Sequence, residues 1–272
     1  MENNQVAVVD KDKLAALREG SGENTPQRPF MSIIQVDNSK ELTKLSDGRE
    51  VDALCEPRWK RLDKDENGEY KTTTIKSFTG VVLKIMWQVA NDGKWDASSG
   101  KMVSNGAPFF SSAMFSPSVF FGQGMVNIKY AEDGATSSMT YKDLKATYPD
   151  LFKLTGWMFV IYNHEVVRVK LTGASRGPLF DYLKMFKVND SISAHQTLFA
   201  AEYVDKPQPH NRAKFSVDQN SSFDIDTVLK YQSEVNSLFS SVAQKVTEAL
   251  GGEIISSNDV ADEIKVEDIK FN

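Results

Sequence analysis

The sequence predicts a mainly β protein of the α+β class: an antiparallel β domain of barrel or sandwich type with short inserted helices, then one long C-terminal helix and an acidic tail. Three observations carry that expectation. Turn pairs recur at Asp47-Gly48, Asn67-Gly68, Asp92-Gly93, Asn105-Gly106 and Asp133-Gly134, and they separate segments rich in β-branched and aromatic residues. The stretch from Leu154 to Lys187 reads as strand, tight turn, strand and short helix. From Asp224 to Leu250 the residues Ile225, Val228, Leu229, Val235, Leu238, Phe239, Val242, Val246 and Leu250 form one apolar stripe at helical spacing, and Gly251-Gly252 ends it.

Taken in order, residues 1–28 are polar, with a short helical candidate LAALRE before the breaker-rich GSGENTPQ, and read as a mobile arm. The β domain spans 29–205. FMSIIQV is its first strand, and TGVVLKIMWQVA is a core strand with Val82, Lys84 and Met86 on one face and Val81, Leu83, Ile85 and Trp87 on the other. Thr140 caps a short helix, with Asp143 three residues on and Pro149 as its stop. In the strand that follows, Trp157, Phe159 and Ile161 alternate with Met158, Val160 and Tyr162, so both faces are apolar or aromatic and the strand belongs in the middle of a sheet. The next strand is half-buried: Val167, Val169 and Leu171 point one way, Val166, Arg168 and Lys170 the other. Ser175 and Pro178 then open a helix whose Leu179, Leu183 and Phe186 face inward, leaving Tyr182, Lys184 and Lys187 outward. SAHQTLFAAEYVD is a last strand. Residues 206–223, with Pro207, Pro209 and several serines, read as a linker, 224–250 as the helix, and 251–272 as an acidic disordered tail.

Composition narrows the function classes. The 272 residues have the apolar and charged fractions of an ordinary globular protein, and no apolar run approaches the length of a membrane span, so an intracellular, cytoplasmic protein is expected. Cys55 is the only cysteine, which excludes an internal disulfide and any zinc site built on several thiolates. The net charge of −5 is unevenly spread. Residues 253–272 hold six acids against two lysines, whereas Leu151 to Lys187 has Lys153, Arg168, Lys170, Arg176, Lys184 and Lys187 against only Glu165 and Asp181.

No catalytic constellation stands out, and the sequence implies no enzyme and no cofactor. His164, His195 and His210 fall at turn, core and linker positions. Asp63, Asp65, Asn67 and Gly68 match the first half of a calcium loop, but Thr74 stands where the bidentate glutamate belongs, so an acidic hairpin turn is the preferred reading. Gly122-x-Gly124 lacks the lysine and hydroxyl of a phosphate loop. Two features suit nucleic acid as well as a core: Arg58, Trp59, Lys60 and Arg61, a ring among cations, and the run holding Phe109, Phe110, Phe115, Phe120 and Phe121.

A β domain with scattered aromatics and cations, EVVRVKLTGASRGPLFDYL running from strand into Gly-x-Ser and helix, and an acidic tail with penultimate Phe271 together resemble phage-type single-stranded DNA-binding proteins. That resemblance, loose over Phe30 to Asp205, implies an OB-like antiparallel β barrel that binds single-stranded DNA in replication or recombination by electrostatics and stacking. The contact residues it implies are Arg58, Trp59, Lys60, Arg61, Lys84, Arg168, Lys170, Arg176, Lys184 and Lys187, with Ile269 and Phe271 offered to replication proteins. A homo-oligomer through the C-terminal helix is a further expected partnership. The alternative function is a virion structural or assembly protein of β-rich fold.

Overall fold

The computed structural model describes residues 31–44, 46–65, 69–96, 98–99, 101–185, 195–218, 221 and 224–249, with side chains in the last helix as far as 239. The expected N-terminal arm and acidic tail, with Ile269 and Phe271, lie outside the described residues, as does Lys187.

Eleven of the described strands form one mixed sheet. Its backbone is β6 (Ser77–Asn91), paired antiparallel along most of its length with β12 (Lys153–Tyr162). On one side of β12 follow β13 (Glu165–Leu171), β1 (Ile33–Val36), β4 (Trp59–Lys64) and β5 (Tyr70–Ile75); on the far edge of β6 come β9 (Phe110–Ser112), β10 (Val126–Tyr130) and β11 (Thr136–Met139). The first residues of β6 pair instead with β14 (Gln196–Val204), which carries β15 (His210–Asp218). Two small hairpins stand apart, β2 (Lys40–Lys44) with β3 (Glu50–Leu54) and β7 (Lys94–Asp96) with β8 (Lys101–Val103).

This corrects the expected OB-like barrel. The free edge of β13 is taken by β1 in parallel register, Ile33 opposite Arg168, and β1 passes the ladder on to β4 and β5 rather than back to β15. The sheet therefore stays open, with β5, β11 and β15 as edges among the described strands. The stretch expected to be a linker supplies β15, nine residues in continuous antiparallel register with β14.

Local chemistry accounts for the pieces. Gly48 and Gly134 take the left-handed conformation that their turns require, at φ 86° and 72°. Asn163 and His164 both have positive φ, the two-residue turn whose twist suits a tight hairpin, and they fix the β12–β13 register. Helix α1 (Tyr141–Thr147) is capped as expected, Thr140 Oγ1 accepting from the Asp143 N–H at 3.1 Å. Ser175 does not cap helix α2 (Arg176–Met185); it lies buried in the 3₁₀ turn Gly173–Ser175, and its Oγ accepts from the Ala213 N–H of β15. Tyr182, expected to face outward, is buried and its hydroxyl shares a 2.8 Å hydrogen bond with Thr197.

Both faces of the central strands are buried. Met158, Val160, Val167, Val169 and Leu171 join Trp59, Phe78, Trp87 and Phe199 in the larger core, while Trp157, Phe159 and Ile161 join Val81, Leu83 and Met86 on the opposite face. Strand β6 does not keep one alternation. A bulge sets Phe159 opposite Lys84 but Val160 opposite Val82, so Leu83 and Lys84 share a side, and Ile85 and Trp87 turn to the larger core with Val82. The second face is covered by helix α3 (Ile225–Ala249), which seats Val228, Val235, Tyr231 and Phe239 on it. Asp224 caps that helix, accepting from the Thr227 N–H and hydroxyl.

Candidate functional site

The alternation of β13 places Val166, Arg168 and Lys170 on the face shared with Trp157, which stands opposite Lys170 in the ladder. The Arg168 guanidinium carbon lies 5.5 Å and the Lys170 ammonium 5.7 Å from the Trp157 ring centroid, close enough for cation–π attraction. The indole N–H of Trp157 donates to Gln88 Oε1 at 3.1 Å. Arg168 is half-buried; one terminal nitrogen donates to the Met31 carbonyl at 3.3 Å, its Nε is buried without a partner among the described residues, and burial draws its pKa down.

From Lys170 the face runs into two adjoining hollows that share Lys170, Thr172 and Gly173. The first contains Asp37 and Asn211. Asp37, 1% exposed, opposes burial with a dense set of donors: Lys60 Nζ at 2.9 Å, Arg58 Nε at 2.9 Å, and the Ser39 N–H and hydroxyl at 2.9 and 2.7 Å. Burial alone favours its protonated form, but these donors outweigh it and hold the carboxyl well below the usual carboxylate range. Asn211 Nδ2 donates to the carbonyls of Asp37 and Cys55, tying β15 to the end of β1. Cys55 is buried there and burial raises its thiol pKa, as suits a packed apolar residue. The second hollow, about 640 Å³, is lined by Lys153, Lys170, Arg176, Thr155, Thr172 and Trp157 among others.

The DNA-binding face implied by the resemblance is not assembled. Trp59 is fully buried, edge-on to Phe78 at 5.5 Å and Phe199 at 6.3 Å. Its cationic neighbours are engaged by acids: Arg58 by Asp37 and Glu41, Lys60 by Asp37, and Arg61 by Asp63 at 2.8 Å and Glu165 at 2.6 Å. Lys84 lies under α3, donating to Asn236 Oδ1 at 2.7 Å with its ammonium 4.9 Å from the Phe239 ring centroid, and burial lowers its pKa. Lys184 pairs with Asp181 on its own helix. The phenylalanine run packs rather than stacks on a ligand: Phe110 and Phe115 are buried, and Phe120 meets Trp87, Phe115 and Tyr141 edge to face. With the rings enclosed and most cations paired, single-stranded DNA binding by stacking and electrostatics is overturned, and the replication and recombination roles drawn from it fall as well.

Of the expected residues the structure gathers Arg58 and Lys60 on Asp37, sets Arg168 and Lys170 beside Trp157 and places Lys170 and Arg176 in one hollow; Arg168, Lys170 and Arg176 have no carboxylate partner among the described residues. Asp37 and Lys153 were not singled out as site residues. For Asp37 the available signal was local: Asp-Asn-Ser after a strand is a side-chain-capped turn, and its Oδ1 accepts from the Ser39 N–H.

No group of three or more potential metal ligands is found among the described residues, and no described helix is long and apolar enough to cross a membrane. No family model, curated protein or solved structure matches the chain.

Proposed function

We propose that this protein is a non-enzymatic, self-associating structural subunit whose copies pair through the two flanks of α3. The observation that carries the reading is the apolar surface left after α3 has packed on the sheet. On one flank Ile225 and Leu229 are 68% and 55% exposed. Leu198, also exposed, is set by its register opposite Thr79 on the same face of the sheet as Val81. On the other flank Met31, Met114, Val166 and Phe239, partly buried against the second core, line with Leu238 a hollow of about 640 Å³ whose wall also holds Glu165, Arg168 and Glu234. One helix thus carries an apolar ridge and a hollow with a largely apolar lining, the arrangement that a two-fold pair satisfies twice over, ridge to hollow and hollow to ridge. Contiguous apolar surface on a monomer marks an interaction site more often than single exposed residues do.

The test is the mass of the protein in solution. The parent chain sediments as a dimer or larger closed assembly, and Ile225→Asp with Leu229→Asp sediments as a monomer of unchanged fold by circular dichroism. A parent that is monomeric at every accessible concentration overturns the reading.

A further inference from the structure

We propose that the hollow bounded by β12, β13 and the turn from Thr172 to Arg176 is a binding site for a small phosphate monoester with a hydroxylated body. Three cations line it: Lys153 at the start of β12, Lys170 near the end of β13 and Arg176 at the first position of α2. Asp92 is the single acid among the described residues of the lining, which therefore hold a surplus of two positive charges. A phosphate monoester carries about −1.5 to −2 at neutral pH, which matches that surplus where a monovalent anion does not.

The cations are available. Lys170 and Arg176 have no carboxylate partner among the described residues, and Arg176 spends one donor, Nε, on the Gly173 carbonyl at 3.2 Å, leaving the rest of its planar fork for an oxyanion. Lys153 stands 3.9 Å from Asp92 with both side chains more than half exposed, a pairing that a ligand phosphate readily displaces. Lys170 is also steadied by the Trp157 ring, which keeps its long side chain against the sheet and lowers the entropy lost on binding. Thr155 and Thr172 are also in the lining, and a threonine hydroxyl suits the hydroxyl groups of a ligand body. The volume, about 640 Å³, lies within the range of small-molecule sites and exceeds what a bare phosphate fills. The site shares no described residue with the flanks of α3, so its success or failure is independent of self-association.

Calorimetric titration of the full chain with glycerol 3-phosphate, inorganic phosphate and glycerol tests the proposal. The expected result is a dissociation constant of about 1 mM or tighter for glycerol 3-phosphate, weaker binding of inorganic phosphate and no heat from glycerol. Replacing Lys170→Gln and Arg176→Gln together weakens binding by about tenfold or more, the loss of charge-assisted contacts. Lys184→Gln, which removes a charge paired with Asp181 away from the hollow, leaves binding unchanged. Lys153→Gln gives an independent reading should the double variant fold poorly, and it too weakens binding. The proposal is overturned if glycerol 3-phosphate gives no heat, if inorganic phosphate binds as tightly, or if neither the double variant nor Lys153→Gln lowers the affinity.

Discussion

Asp37 shows how one residue can hold several segments. Its carboxylate gathers Arg58, Lys60 and Ser39, and its backbone carbonyl receives Asn211 from β15. Replacing it by Asn leaves two cations facing a neutral amide and is expected to cost about 3 kcal/mol, in the range for breaking one side of a buried ion pair. The pH dependence follows from the lowered pKa. A carboxyl depressed in the folded state adds stability above its unfolded value of about 3.9, and that stability is lost as pH falls below it. Urea unfolding of Asp37→Asn against the parent at neutral and strongly acidic pH checks both, because the difference between them shrinks in acid. Gly80 is a second point of stress, sitting where β6 changes partner from β14 to β12. A Cβ there would stand 2.5 Å from Val160 Cγ1 and 2.6 Å from the Ile161 carbonyl oxygen, and backbone cannot step aside cheaply. Gly80→Ala is expected to lower stability by about 2 to 3 kcal/mol, read from the denaturant midpoint. Neither role was legible in the sequence. Asp63 stands two residues from Arg61 on the same strand, a pairing within local reach, but the other acids that engage the cations around Trp59, Asp37, Glu41 and Glu165, are separated from them by turns and whole strands.

Single elements were more legible than sites, because hydrophobic period is a local property. The alternations of β12 and β13 and the cap of α1 follow from adjacent residues, and the structure keeps them. Strand β15 was missed because Pro207 and Pro209 stand just before it, yet within it Ala213, Phe215 and Val217 alternate with Arg212, Lys214 and Ser216, an edge strand with one buried face. The bulge in β6 had no signal, since two consecutive residues on one side look like any other pair in an apolar run. For α3 the stripe predicted a helix but not how much of it one surface covers. Val228 and Val235 are 5% and 1% exposed against the sheet, while Ile225 and Leu229 are left outside. Val235→Ala is accordingly expected to lower stability by about 2 kcal/mol, whereas Leu229→Ala leaves the monomer's stability within about 0.5 kcal/mol of the parent. Thermal unfolding at dilute concentration, below the range of association, separates the two.

At the scale of the whole molecule the open sheet decides what kind of contact two copies can make. No local rule reveals that residues 33–35 lie parallel to residues 168–170, and that one long-range pairing turned an expected barrel into a sheet with free edges. Free edges invite strand pairing, but β15 carries Arg212 and Lys214, and β5 carries Lys71 and three threonines with an exposed Tyr70, a polar dressing that discourages it. The exposed ridge of α3 at Ile225 and Leu229 lacks that protection, so association is expected there and should be driven by apolar burial. Its salt dependence distinguishes this from pairing by charge. The chain has a net charge of −5, so two copies repel at low ionic strength, and screening weakens that repulsion over a Debye length of about 10 Å at 0.1 M salt. Apolar burial is not weakened by sodium chloride and is strengthened by sulfate. The dimer dissociation constant is therefore expected to fall as salt rises, and Ile225→Asp with Leu229→Asp to raise it by about 100-fold or more, the loss of two anchoring side chains. Sedimentation equilibrium at low and high salt reads both changes. A dimer that comes apart as salt rises, or one indifferent to the double substitution, places the contact on a charged edge instead of on α3.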